Sequence, residues 1–397
     1  MNGDGGETAT NGGSTQRWTV DTGTLPGEAG RHREVAQDRL PTAEPGTERI
    51  LGEYRDRLRR KWWFVFGVVV ILVGVGSYAV ATGPISIGLV ELVEVLVGNR
   101  GGTPGRVVWN IRLPRIVAAV GAGAGLAVAG AVLQSVLRNP LASPYTLGIS
   151  QGAAFGAAFA IVVLGTGTTS DGGPILSVIN PYLTSVSAFT GALISAVAIF
   201  AIAKYRGASP ETLILAGIAL AALYTAGTTA LEYFATNTEL ATLVFWKFGD
   251  VSGATWEFNG LLWAVALLAG LYFTRRAWTY TVLSAGDETA RSLGIQVERV
   301  RLVGMILASF VTAVVVAMFG IIGFVGLVVP HIVRRAIGGD ERVLIPASTV
   351  TGGALLLSAD TVARTIISPI VLPVGIVTSF LGVPLFLYLI LRGREYW

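Results

Sequence analysis

Residues 113–136 read LPRIVAAVGAGAGLAVAGAVLQSV, and after Arg115 no charged side chain interrupts the run. About 20 residues of helix cross a ~30 Å hydrocarbon core, and a helix this uncharged has no polar face to offer water. Gly121 and Gly125 form a small-xxx-small stripe of the kind that lets membrane helices approach closely. Working outward, nine further apolar runs alternate with short polar punctuation: 62–81, 145–165, 182–203, 211–231, 258–274, 301–319, 322–337, 344–366 and 373–391. The expected fold is therefore all-α, a polytopic membrane protein of about ten transmembrane helices. Composition agrees, because 52% of the 397 residues are hydrophobic and only 14% charged, about half the charged share of a soluble domain. Run 322–337 is the least regular. Gly323, Gly326 and Pro330 interrupt it, so a half-helix followed by a break is expected, tolerated only inside protein or beside a cavity.

Composition also excludes several chemistries. The chain has no cysteine, which removes disulfides, thiolate metal sites, iron–sulfur clusters and cysteine nucleophiles. Its two histidines, His32 and His331, lie in a polar tail and near a helix end, too few and too far apart for a multi-histidine centre. No resident cofactor or metal is expected, and no grouping of acid, base and nucleophile marks a membrane enzyme. The three lysines, Lys61, Lys204 and Lys247, follow Arg60, Ala203 and Trp246. None fits G-x-x-x-x-G-K-[ST], whose lysine and backbone amides hold nucleotide phosphates. If nucleotide drives transport, a separate subunit supplies it. An ion-coupled carrier would bury ionisable groups along its spans. The clearest such group is Asp360, four residues before Arg364 on one helix face, readable as a coupling site or as a structural ion pair.

Residues 1–60 are rich in Gly, Thr, Glu, Asp and Arg without apolar periodicity, and read as a disordered tail. Residues 61–397 are expected to form a single ten-span transmembrane domain. No secretory signal is expected, since the first apolar run begins only at Trp62. With an even number of spans both termini share one side; placing them inside puts eighteen Lys and Arg residues in the inner loops and six in the outer ones. The expected location is the cell membrane with both termini cytoplasmic and lipid around the spans; nucleic acid is not an expected partner. The outer segment Pro84–Asn99 reads as a short amphipathic helix lying on the surface or as a plain connecting helix. The inner segment 275–300 reads as a helix–turn unit, with Ser284-Ala-Gly-Asp287 as a capping box, Ala290 and Leu293 on one face, and Gly294 as C-terminal cap.

The specific signals come in order: Arg112-Leu-Pro-Arg115, Gln134, Arg138-Asn-Pro-Leu-Ala-Ser-Pro144, Leu147-Gly-Ile-Ser-Gln-Gly-Ala153, Leu293-Gly294, Ile322-Gly-Phe-Val-Gly-Leu-Val-Val-Pro-His331, Ala359-Asp360 with Arg364, and Leu372-Pro-Val-Gly375. This series resembles the permease subunits of the vitamin-B12 and iron-siderophore (FecCD-type) class of ATP-binding-cassette importers, over residues 60–395. The resemblance implies a homodimer of ten-span permeases, two cytoplasmic ATP-binding subunits and an extracytoplasmic substrate-binding protein. It implies a metal chelate as cargo, with cobalamin favoured over ferric siderophores or haem.

By motif, Arg112, Arg115 and Arg364 match arginines that receive acidic residues of the binding protein, with lipid anchoring or internal pairing as the plainer reading. The charges of Arg112 and Arg115 are expected to stay hydrated at the outer surface. Coupling helices at about 278–298 match through Gly286, Asp287, Glu288, Ala290, Arg291, Leu293 and Gly294, and would sit in a groove of the ATPase subunit. The cytoplasmic gate falls at Ser209, Pro210, Glu211 and Thr212, where the chain departs from the family: Pro210 and Glu211 stand where a hydroxyl-rich pair is expected.

Overall fold

The computed structural model describes residues 45–83, 87–98, 101–166, 180–206, 209–367 and 369–392. The chain divides into units 1–51 and 52–397; of the first, only the helical residues 45–51 are described. The reading of a disordered tail over 1–44 lies outside the described residues. Residues 45–60 are helical instead. They open α1 (Pro45–Ala81), and their Glu, Arg and Leu content favours helix even where no apolar stripe exists to reveal it.

Among the described residues fourteen α-helices follow: α2 (Leu89–Val97), α3 (Gly102–Val107), α4 (Leu113–Val136), α5 (Ile149–Val162), α6 (Pro181–Arg206), α7 (Pro210–Phe234), α8 (Asn237–Lys247), α9 (Trp256–Arg275), α10 (Ala277–Ser284), α11 (Asp287–Ser292), α12 (Val297–Phe319), α13 (Val325–Ile337), α14 (Glu341–Thr365) and α15 (Val374–Arg392). No strand occurs among the described residues. Each of the ten expected runs holds a helix. Among the described residues, seven helical segments are long and apolar enough to cross a membrane, with shorter apolar helices at Ile149–Val162 and Val374–Tyr388.

The quoted run forms the centre of the bundle. Its most apolar stretch is 89% buried, against 6% for α1 and 17% for α7, and α4 packs on α9, α12, α13 and α14. Small residues make this possible. A Cβ at Gly123 would overlap the Gly352 carbonyl of α14, and one at Gly130 would overlap Gly326 of α13. The expected stripe therefore needs correction: Gly121 and Gly125 meet side chains, of Leu262 and Trp263 and of Val311, while the backbone-to-backbone approaches fall at 123 and 130. A helix surrounded on every side needs small residues on every face, so spacing alone does not single out the tightest.

Pro114 does not open this helix. The chain is already helical from Gly102, and a π-helical turn at Val108–Arg112, with Leu113 N–H donating to the Val108 carbonyl, leads straight into α4. Proline lacks the N–H that would bond four residues back, and a wider turn accommodates that gap. Side chains of the α9 segment complete the region: Trp256 Nε1 donates to the Trp109 carbonyl (2.9 Å), Asn259 Nδ2 to Pro114 (2.9 Å) and Trp263 Nε1 to Val117 (3.2 Å).

In run 322–337 the break precedes the half-helix rather than following it. Residues 320–324 are non-helical, and Phe324, at φ 65°, starts α13. A non-glycine residue in this region is strained. Its ring lies where any Cβ on Gly382 of α15 would stand, so packing holds the conformation. In α2, Leu92 and Val95 are buried while Val90, Val93 and Val97 are exposed; it packs one face on the bundle and leaves apolar surface on the other.

Candidate docking, coupling and gate sites

Charge collects at the two ends of the helices. At the end that carries Arg115, this guanidinium grips Asp360 of α14 with Nε and Nη2 at 2.9 and 2.8 Å from Oδ1, and Nη2 lies 3.4 Å from Asp250. Arg364 Nε stands 3.2 Å from the other Asp360 oxygen. Arg112 donates from Nη1 to the Val80 and Ala81 carbonyls (2.6 and 3.1 Å), and Arg364 Nη1 lies 3.5 and 3.4 Å from those of Ala79 and Thr82. The last carbonyls of α1 have no partner within their helix, and these arginines supply one. The structure thus brings Arg112, Arg115 and Arg364 to one end of the bundle. The hydration expected of Arg112 and Arg115 does not hold: both are buried, as are Arg364 and Asp360. With both oxygens of Asp360 facing guanidinium groups, the structural ion pair is the better of its two readings.

The opposite end carries the coupling segment. Asp287 opens α11 and binds Arg301 Nη2 at 3.0 Å, with Arg138 at 3.6 Å. Arg301, itself buried, donates from Nε to the Val136 carbonyl at the end of α4 (2.8 Å). Ala290 is buried, and Gly294 (φ +79°) closes α11 as expected, with Ile295 N–H reaching the Ala290 carbonyl. Two expectations fail here. Ser284 ends α10, donating to the Thr281 carbonyl, and α11 starts from Gly286 (φ +132°) without a side-chain cap; glycine's freedom of φ makes the turn that the capping box would have made. Leu293 is exposed rather than sharing the buried face of Ala290. Glu288, Arg291 and Gly294 are exposed beside it, with Arg291 donating to Glu298 at 2.7 Å. That hydrogen bond holds the Arg291 guanidinium above its ordinary pKa. Within α10 the buried Tyr280 packs on Phe273, and burial raises its phenol.

The gate segment forms the first turn of α7. Ser209 is its cap, accepting from Thr212 N–H at 3.2 Å and donating to Thr212 Oγ1 at 2.9 Å, with Pro210 in the first turn and Glu211 exposed. The hydroxyl pair absent at 210–211 is present at 209 and 212.

The FecCD transport family matches residues 69–392. The chain belongs to that family. As a FecCD permease it is a multi-pass membrane subunit of an ABC importer. It is 52% identical over 338 residues to a protein of Methanocaldococcus jannaschii named among ABC transporter permeases, covering 85% of this chain and 97% of that one. It is 41% identical to the cobalamin import system permease of Halobacterium salinarum (79% of this chain, 77% of the relative) and 39% identical to the hemin transport system permease of Yersinia pestis (72% and 84%). Among solved structures it is similar to a transporter described as of metal-chelate ABC type in an inward-facing conformation. The TM-score is 0.71 at 29% identity, covering 83% of this chain and 98% of that one.

Glu341 of this FecCD permease carries no motif, yet it is buried and accepts from Ser135 Oγ at 2.7 Å. An acid opening a helix is usually a solvated partner of the helix dipole, and nothing in its spacing shows that α10 and α13 close over it.

Proposed function

We propose that this FecCD permease moves a metal chelate, with cobalamin favoured, as a homodimer of ten-span subunits. Two ATP-hydrolysing subunits meet the Arg301 end, which is cytoplasmic together with both termini. An extracytoplasmic binding protein meets the Arg115 end. The observation that carries this reading is the α10–α11 unit: a compact turn fastened to α12 through Asp287 and Arg301, with Glu288, Arg291 and Leu293 turned outward for a partner.

At the other end, Arg112, Arg115 and Arg364 receive acidic residues of the binding protein. In the free subunit two of these guanidinium groups share Asp360; in this reading, docking draws their forks from internal partners to carboxylates of the binding protein. ATP binding closes the ATPase pair, α10 and α11 move with it, and the α7 helices of the two subunits switch between inward- and outward-open packings. Ser209, Pro210, Glu211 and Thr212 form the inner gate in this scheme. Residues 1–60 have no transport role, and lipid covers the apolar flanks.

The cargo preference rests on the likeness to permeases named for cobalamin import; the likeness to a hemin permease supports haem as second reading. Uptake of labelled cobalamin, haem and a ferric siderophore in cells with and without this chain tests it. Loss of cobalamin uptake alone is the expected outcome. Loss of haem or siderophore uptake alone transfers the cargo to that chelate, and no loss of any of the three overturns these cargoes and points to another chelate or a redundant system.

A further inference from the structure

Glu341 is where three helices are tied by polar contacts. Its backbone N–H donates to Thr281 Oγ1 of α10 at 3.1 Å. Its Oε1 accepts from Ser135 Oγ of α4 at 2.7 Å and lies 3.4 Å from Arg334 Nη2 of α13. Arg334 Nη1 in turn donates to Gln134 Oε1 at 3.0 Å, and Gln134 Nε2 donates to the Leu327 carbonyl at 3.1 Å. Gln134 therefore holds α13 at both its first and its last turn, on either side of Pro330. The second carboxylate oxygen of Glu341, Oε2, is buried and has no hydrogen-bond partner.

We propose that Glu341 is a positioning residue that carries movement of α10 into α4 and the half-helix α13 during the transport cycle. The inference rests on the reading of α10–α11 as the unit that meets the ATPase. The apolar anchors of α10, Tyr280 and Leu283, can slide over their neighbours because apolar burial is non-directional. Hydrogen bonds fix register, so displacement of Thr281 must either drag Glu341 or break with it. A buried carboxylate with one bare oxygen is costly where an apolar residue would pack. Such an arrangement suits a junction that exchanges partners between two states, Oε2 being satisfied in the second.

The test uses the complete transporter, permease with ATPase and binding protein, in proteoliposomes, with labelled cobalamin, or labelled haem where the uptake comparison returns haem. Glu341→Gln and Thr281→Val are each expected to lower cargo moved per ATP hydrolysed at least tenfold, with ATPase co-purification intact and Thr281→Ser restoring the ratio. An unchanged ratio in both variants, or uptake and ATP hydrolysis falling in proportion, overturns the proposal. If Glu341→Gln does not fold, Thr281→Val with its serine rescue decides alone. Arg291→Glu, on the exposed face of α11, separates the two readings. Loss of ATPase co-purification upholds the coupling unit whatever Glu341 does, whereas wild-type assembly and coupling overturns that unit and with it the route to Glu341.

Discussion

Asp360 shows how much the burial of a single side chain changes its meaning. In sequence it is an acid one turn before Arg364; in the fold it is fully enclosed between two arginines. Breaking a buried ion pair by removing one partner costs about 3–5 kcal/mol, because the remaining charge is left uncompensated. Asp360→Asn should therefore lower the thermal midpoint of the detergent-solubilised protein by many degrees and reduce the folded yield. An unchanged midpoint would show that Arg115 and Arg364 do not depend on it. Glu298→Gln serves as the contrast. Its partner Arg291 and Glu298 itself are both more than half exposed, where water screens the attraction, and the midpoint should stay at the wild-type value.

Among the elements, α4 is set by what it lacks. Its glycines lower helix propensity in isolation, yet they let the backbones of α13 and α14 come into contact with it, so tertiary packing outweighs propensity. Gly130→Ala places a Cβ against the Gly326 backbone, where no side-chain movement relieves it; overpacking of this kind typically costs about 1–3 kcal/mol or more. Gly270→Ala in α9 meets nothing within 4 Å and should be neutral or gain about 0.4–1 kcal/mol. Midpoints of the two variants, measured side by side, check this; equal shifts would refute the packing described for α4. The same element shows where sequence reading ends. The apolar span over 113–136 is legible from composition, but the π-helical turn upstream is not, since it depends on α9 side chains 145–147 residues away reaching the freed backbone.

For the whole molecule, the distribution of burial predicts assembly. The most apolar stretch of α7 is only 17% buried, and Ala219, Ala222 and Ala226 are exposed along the helix. A helix face of small residues supports close packing on another helix. Because the chain has no cysteine, a single Ala222→Cys variant gives an unambiguous readout. In membranes it should form an oxidant-dependent covalent dimer, whereas Val186→Cys on the exposed side of α6 should not. Equal cross-linking at both positions, or none at Ala222, would count against α7 as the homodimer face.

Sequence by itself determined that this protein is a bundle of apolar helices, where those helices run, and that it contains no phosphate-binding lysine loop, because hydropathy, length and motif are local properties. The motif order also marked the three arginines, the α10–α11 unit and the turn at Ser209. Only the tertiary structure decided that Arg112, Arg115 and Arg364 are buried, that Asp360 is shared between two of them, and that Glu341 joins three helices. Burial and pairing of charge depend on which helix ends meet, and the groups concerned lie 245 residues apart for Arg115 and Asp360 and 206 apart for Ser135 and Glu341. No pattern within one helix records that meeting; the packing of glycine against glycine across α4, α13 and α14 creates it.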